Sequence, residues 1–121
     1  MKDLFIKGSV KHPEISFSVD GHLKISGVSV LEDSYEFYRK PITWVDEYLL
    51  QPAEKTIVDI DLSFFNTSSQ VNLFEILMKL AELQRSGYDV TFNWFYAEED
   101  LLDLGQDISN LLGINFNFVR K

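Results

Sequence analysis

A chain of 121 residues with 45% hydrophobic content, including 10 Phe, 5 Tyr and 2 Trp, suffices for one substantial core, so one domain spanning residues 1–121 is expected. The formal net charge of -8 sets up a field that repels phosphate backbones and anionic lipid heads, which argues against nucleic acid and membrane partners. The absence of cysteine removes disulfides, thiolate metal ligands and cysteine nucleophiles, and neither a signal peptide nor an apolar stretch of membrane-spanning length is present, so a cytoplasmic setting is expected.

The first third reads as strands. A short, weakly marked strand at Leu4 to Lys7 precedes two alternating runs. Ile15, Phe17 and Val19 alternate with serines, and Leu23 and Ile25 alternate with Lys24 and Ser26. Asp20-Gly21 between them is the signal for a hairpin with a type I′ turn. Asp33 then opens a helical period, with Glu36 completing a capping box and Phe37, Trp44, Val45, Tyr48 and Leu49 on one face. Pro41 predicts a kink near Lys40 or a fresh start at Pro41, because proline removes a helical hydrogen bond and clashes with the preceding turn.

Gln51 to Lys55 reads as a loop, after which Val58, Ile60, Leu62 and Phe64 alternate with Asp59, Asp61 and Ser63. That strand is expected to carry one apolar face and one face with two carboxylates. Thr67 to Ser86 places Leu73, Ile76, Leu77, Leu80, Ala81 and Leu83 on one helical face, and Gly87 follows where a left-handed residue closes a helix. Val90, Phe92 and Trp94 form the next strand. Glu98-Glu99-Asp100 then open a helix that runs to Leu112, Gly113 closes it, and Ile114, Phe116 and Phe118 form the last strand. Alternating helices and strands after a hairpin predict an α/β fold with a mixed sheet, its later strands parallel.

Catalytic groups are few. His12 and His22 lack a partner pattern for a triad or a metal, no nucleotide-binding glycine loop occurs, and the acids Glu98, Glu99, Asp100, Asp103 and Asp107 are explained by the helix dipole and a solvated face. No cofactor and no metal site is expected. Asp59 and Asp61 share a strand face as an acid-base pair would, although the wet side of a sheet gives the same pattern. Asn66-Thr67-Ser68-Ser69 is different, because three hydroxyls follow directly on a core strand and open the best helix. Open α/β sheets present functional groups at that position, and a phosphate there would meet free N–H groups and the positive helix end. Thr67-x-x-Gln70 is also a capping box, which makes Thr67 the N-cap on purely structural grounds.

The run Asp61-Leu62-Ser63-Phe64-Phe65-Asn66-Thr67-Ser68-Ser69 resembles the regulatory segment of STAS-type anti-sigma-factor antagonists. More closely, the chain resembles the SiaC family of bacterial regulatory phosphoproteins, an offshoot of that fold. The resemblance is carried by Ser26-Gly27, by Glu32 through Tyr38, by Pro41 with Trp44, by the Asn-Thr-Ser-Ser core, by Asn93-Trp94-Phe95-Tyr96 and by Leu104-Gly105. It implies a STAS-like domain, a kinase that phosphorylates Thr67, and a PP2C-type phosphatase that reverses this. It also implies an unmodified form that binds and activates a diguanylate cyclase, with output in cyclic-di-GMP and biofilm formation. Asn66, Ser68 and Ser69 complete the phosphorylation loop, and Trp94, Phe95 and Tyr96 are the expected partner surface. Sporulation-type antagonists carry serine and glycine where this chain has Thr67 and Ser69, which points away from a sigma-factor circuit, the alternative partner-switching role. A small hydrolase with Thr67 or Ser68 as nucleophile and Asp59 or Asp61 nearby is the alternative of another class. It lacks a histidine partner and an oxyanion loop, so no enzymatic activity is expected.

Overall fold

The computed structural model describes residues 1–121 and contains one six-stranded mixed sheet with three helices. Strands β1 (Leu4–Ile6), β2 (Glu14–Phe17) and β3 (His22–Ser29) pair antiparallel in chain order. The β2–β3 connection differs from the expected type I′ turn. That turn needs positive φ at both central residues, and here only Gly21 has it, at 112°. The amide of Gly21 donates to the Ser18 carbonyl at 3.0 Å and that of Ser18 to the His22 carbonyl at 2.9 Å. Val19 and Asp20 thus make an ordinary turn and Gly21 the following bulge. A Cβ at Gly21 would lie 2.0 Å from the Lys55 carbonyl oxygen, so the start of the fourth strand also dictates glycine here.

From β3 onward every connection is a helix: α1 (Ser34–Leu50), β4 (Lys55–Phe65), α2 (Thr67–Arg85), β5 (Asp89–Tyr96), α3 (Glu99–Leu112) and β6 (Phe116–Arg120). Strands β3 to β6 are parallel neighbours in sequence order. Right-handed crossovers that step steadily in one direction put all three helices on the same face of the sheet. Burial agrees. Val58, Ile60 and Leu62 are buried beneath the helices, whereas Asp59 and Asp61 lie on the uncovered face. Two buried tyrosines reach polar partners from within this core, Tyr48 to Thr56 Oγ1 at 2.7 Å and Tyr38 to Ser29 Oγ at 2.8 Å.

Helix α1 begins as expected, with Asp33 Oδ1 accepting from the Glu36 amide at 3.2 Å. It neither ends nor restarts at Pro41, which lies inside a continuous helix. Proline costs about 3 kcal/mol in a helix interior. Tyr38 before Pro41 and Ile42, Val45 and Tyr48 after it are all buried, and this shared burial offsets the cost by holding both halves on one core.

Strand β4 departs from simple alternation near its end. The register against β3 slips between Gly27 and Val28, so that Gly27 faces Leu62 while Val28 faces Phe64. Ser63 is therefore an extra residue, a β-bulge that reverses the faces beyond it. Phe64, expected on the apolar face, is 58% exposed, and Phe65 is buried in its place.

In α3, Gly105 is demanded by close packing, since a Cβ would sit 2.7 Å from the Trp94 ring and 2.9 Å from Phe118. Gly113 closes the helix at φ 67°, the left-handed cap read from sequence. No helix is long and apolar enough to cross a membrane.

Candidate functional site at the mouth of strand four

Three segments converge where β4 gives way to α2. Asn66 takes an extended conformation and is the N-cap of α2, its Oδ1 accepting from the Ser69 amide at 3.0 Å. This corrects the capping box expected from Thr67 and Gln70. Asn66 is among the strongest N-cap residue types and precedes the hydroxyl run, so the helix starts at Thr67, one residue earlier than a Thr67 cap would require. The Asn66 Nδ2 donates to the Leu31 carbonyl at 2.9 Å, and its backbone amide donates to the Ser29 carbonyl at 2.9 Å. One side chain thereby caps a helix and ties it to the segment leading into α1.

The three consecutive hydroxyls then have three different fates. Ser69 is buried and accepts from Ser29 Oγ at 2.8 Å, while Ser29 in turn lies 2.8 Å from Tyr38 OH. Burial pushes the Tyr38 phenol up to about 12, partly offset by its bond to Ser29, so this chain of hydroxyls stays neutral. Ser68 is exposed but tethered, donating to the Leu31 carbonyl at 3.2 Å and lying 3.3 Å from Asn66 Oδ1. Beneath it Asn72 Nδ2 bridges Ser34 Oγ at 2.8 Å and the Ser68 carbonyl at 3.0 Å. Thr67, also exposed, stands at the first position of α2 and is the one hydroxyl outside this network.

The electrostatic setting is one-sided. Residues 25–38, 56–78 and 86–119 contain no Lys or Arg, and the lysine brought near this end of β3 is Lys11, whose carbonyl accepts from the Val30 amide at 2.8 Å. Glu98 and Asp100 border a cavity that Phe64 and Phe65 at the end of β4 form with Leu101 and Leu104 of α3. Arg120, at the far edge of the sheet, is engaged with Glu99 at 2.5 Å and lies over the Tyr96 ring. A phosphate on Thr67 would meet the backbone N–H groups of the first turn of α2.

The other expected residues are placed elsewhere. Trp94 is 1% exposed, with Nε1 donating to the Leu101 carbonyl at 2.9 Å, so it is a core residue and not part of any partner surface. Its place under α3, against Gly105, explains the burial. Phe95 and Tyr96 are half-buried at the end of β5. Asp59 is held by His22 Nε2 at 2.7 Å and Asn93 Nδ2 at 2.8 Å, in a row that Asn117 extends to Asn93 at 3.0 Å. Lys121 Nζ lies 2.8 Å from Asp61 Oδ1, close enough for an ion pair but off the direction of a hydrogen bond. These carboxylates face away from the helices, and His22 begins β3 at the opposite end of the sheet from Thr67. No acid, base and hydroxyl converge at Thr67.

Sequence reasoning missed Ser29 and Tyr38, whose role depends on contacts across the fold, and it missed the outward turn of Phe64. The tandem Phe64-Phe65 in an alternating strand was the available signal for the bulge.

Comparison with known proteins places this geometry. The sequence model of the SiaC family regulatory phosphoprotein matches residues 6–121. An uncharacterized protein of Pseudomonas aeruginosa (strain UCBPP-PA14) is 34% identical over 97 residues, covering 79% of this chain and 77% of that protein. The crystal structure of apo-SiaC from Pseudomonas aeruginosa superposes with a TM-score of 0.88 at 30% identity, covering 100% of this chain and 99% of that one. A chain of the crystal structure of diguanylate cyclase SiaD in complex with its activator SiaC, from the same organism, superposes with a TM-score of 0.88 at 29% identity, covering 98% of this chain and 100% of that one. The chain belongs to the SiaC family of regulatory phosphoproteins.

Proposed function

We propose that this chain is a phosphorylation-switched regulator that, unmodified, binds and activates a diguanylate cyclase, with Thr67 as the switch. Membership of a family of regulatory phosphoproteins supports this, as does likeness to an activator found in complex with diguanylate cyclase SiaD. The observation that carries the site is the contrast among three adjacent hydroxyls. Ser69 is sealed and bonded, Ser68 is tethered, and Thr67 is exposed and uncommitted. A kinase acting here needs to disrupt no internal bond, and a PP2C-type phosphatase finds the phosphate equally accessible.

The phosphate acts on the partner and leaves the fold intact. It adds about -1.5 to -2 charge at a helix N-terminus, where the dipole favours it by roughly 0.3–1 kcal/mol, so α2 remains formed. In a docked complex the same charge must be desolvated, on a chain whose net charge is already -8. Binding is lost because burying an unpaired dianion costs several kcal/mol. The role needs no chemistry of its own: the chain acts as a single regulatory domain in the cytoplasm and not as an enzyme.

The test is activation of a purified diguanylate cyclase by wild type, Thr67→Ala and Thr67→Glu. Activation by Thr67→Ala with loss in Thr67→Glu supports the switch. Equal activation by all three removes Thr67 from it.

A further inference from the structure

The two edges of the sheet are finished differently. At the β6 edge, α3 packs down so closely that a Cβ at Gly105 would lie 2.9 Å from Phe118. At the β1 edge a groove of about 770 Å³ opens between the strand and α1, with Leu4 and Ile6 on one wall and Phe37, Lys40 and Trp44 on the other. Trp44 Nε1 donates to the Lys2 carbonyl at 2.8 Å, which pins the chain just before β1 to the helix. His12, just before β2, stacks on Phe37 with ring centroids 4.9 Å apart. Phe37 and Trp44 are seven residues apart on α1, a rise of about 10.5 Å, and the three residues of β1 extend about 10 Å, so helix and strand flank the groove over the same length. Strand β1 has a partner on one side only, so no strand pairs with its outer row of N–H and C=O groups. Beside it, on the face away from the helices, Phe5 is 63% exposed. Charge here runs against that of the molecule. The first forty residues hold six Lys or Arg and six Asp or Glu, so the whole excess of -8 belongs to the rest of the chain. Lys2 and Lys7 flank β1, Lys11 adjoins His12 and Lys40 lines the groove; all four are exposed, and none takes part in an ion pair. Of the groove's two carboxylates, Glu36 is held by Arg39 at 2.7 Å, which leaves Glu47 against four free lysines.

We infer that β1 and α1 form a docking site for an extended acidic segment of a partner protein, which adds to the sheet as one more strand beyond β1. The free edge selects an extended occupant. It offers main-chain hydrogen bonds at the two-residue repeat of a strand, whereas a helix has already spent its N–H and C=O groups internally. Alternate side chains of the segment enter the groove against Leu4, Ile6 and Trp44, and those between them lie beside Phe5 and Lys7. The four free lysines select acidic residues in it. A second copy of this chain would bring the same lysines to the same edge and be repelled. Lysines that only guarded the edge against pairing would need no apolar groove behind it. Helix α1 has β1 on one side and packs against α2 on the other, so this site is separate from the mouth of β4, and its occupation does not depend on the state of Thr67.

The test uses the full chain and a peptide of about nine residues that alternates valine with glutamate, long enough to overrun β1 at both ends. Two twins serve as controls, one with lysine for glutamate and one N-methylated at every amide. Amide-resolved NMR and hydrogen exchange locate the contact. The expected result is saturable binding that shifts the amides of Leu4 to Ile6 and of Phe37 to Trp44 and slows hydrogen exchange in β1, while neither twin binds. Lys40→Glu should weaken the peptide about tenfold or more. Lys55→Glu, the same charge change three strands away, should leave binding within about twofold of wild type. Both lysines are exposed and outside every ion pair, so both variants keep the fold. Thr67→Glu should bind the peptide as wild type does. No binding, shifts centred on α2 or on the middle of the helix-free face, binding by either twin, equal weakening by the two lysine reversals, loss in Thr67→Glu, or self-association of the free protein through β1 would each overturn the site.

Discussion

Replacing Asn66 by alanine should destabilise the protein far more than replacing Thr67, the reverse of what the sequence pattern suggests. Asn66→Ala removes the cap bond to Ser69 N and the bond from Nδ2 to the Leu31 carbonyl. Loss of an N-cap costs about 1 kcal/mol, and a partly buried hydrogen bond about another 1 kcal/mol. Ser68 still donates to Leu31, which limits the second loss, so about 2 kcal/mol is expected. With an unfolding entropy of about 2.1 cal/mol/K per residue over 121 residues, that is a fall in Tm of about 8 °C. Thr67→Ala removes an exposed hydroxyl outside the bonded network and should stay within about 0.5 kcal/mol of wild type. Urea titration and thermal melts of the two variants decide the matter. A costly Thr67→Ala beside a neutral Asn66→Ala would show that Thr67 is the cap, and would remove the reason for regarding its hydroxyl as free.

Other outcomes follow from the same geometry. Tyr38 is pushed up from 10.0 to about 12 by burial, so the fold favours its neutral form. That stability is fully present below pH 10.0 and is lost as pH rises from there through about 12; spectrophotometric titration should show one late tyrosine that vanishes in Tyr38→Phe. Gly105→Ala drives a methyl to 2.7 Å from Trp94, and by overpacking should cost about 1–3 kcal/mol in denaturant unfolding. A melt indistinguishable from wild type would show that α3 can lift from β5 freely. Gly21→Ala meets the Lys55 carbonyl oxygen at 2.0 Å with φ at 112°, and is expected to fold poorly, measured as lost soluble yield and lowered Tm.

Most elements were legible because each segment carries a period. Leu73, Ile76, Leu77 and Leu80 mark α2 by helical spacing, and Gly87 and Gly113 end their helices with the positive φ expected of them. What failed were positions where tertiary contacts override a local rule. The fresh start at Pro41 does not occur, because buried residues on both sides hold one continuous helix. Phe64 faces out because Ser63 is inserted as a bulge, and Asp20 does not take positive φ because Gly21 alone completes the turn. At the site, the hydroxyl run and the strand-to-helix mouth were visible in sequence. Which hydroxyl is free was not, because Ser69 is occupied by Ser29 and Ser68 by Leu31, residues that the fold brings from about 40 positions away. Trp94 shows the same limit, since an aromatic at a strand end reads as surface until the helix packed over it is known.

The central claim is that one phosphate on Thr67 turns effector binding off while the fold stays the same. The direct measurement is cyclic-di-GMP synthesis by a purified diguanylate cyclase titrated with this chain, unmodified and stoichiometrically phosphorylated at Thr67, with circular dichroism run on both forms. The account predicts activation by the unmodified chain, loss of activation by the phosphorylated chain, and superimposable spectra. Equal activation by the two forms, or a phosphorylated chain that has lost α2, would contradict it.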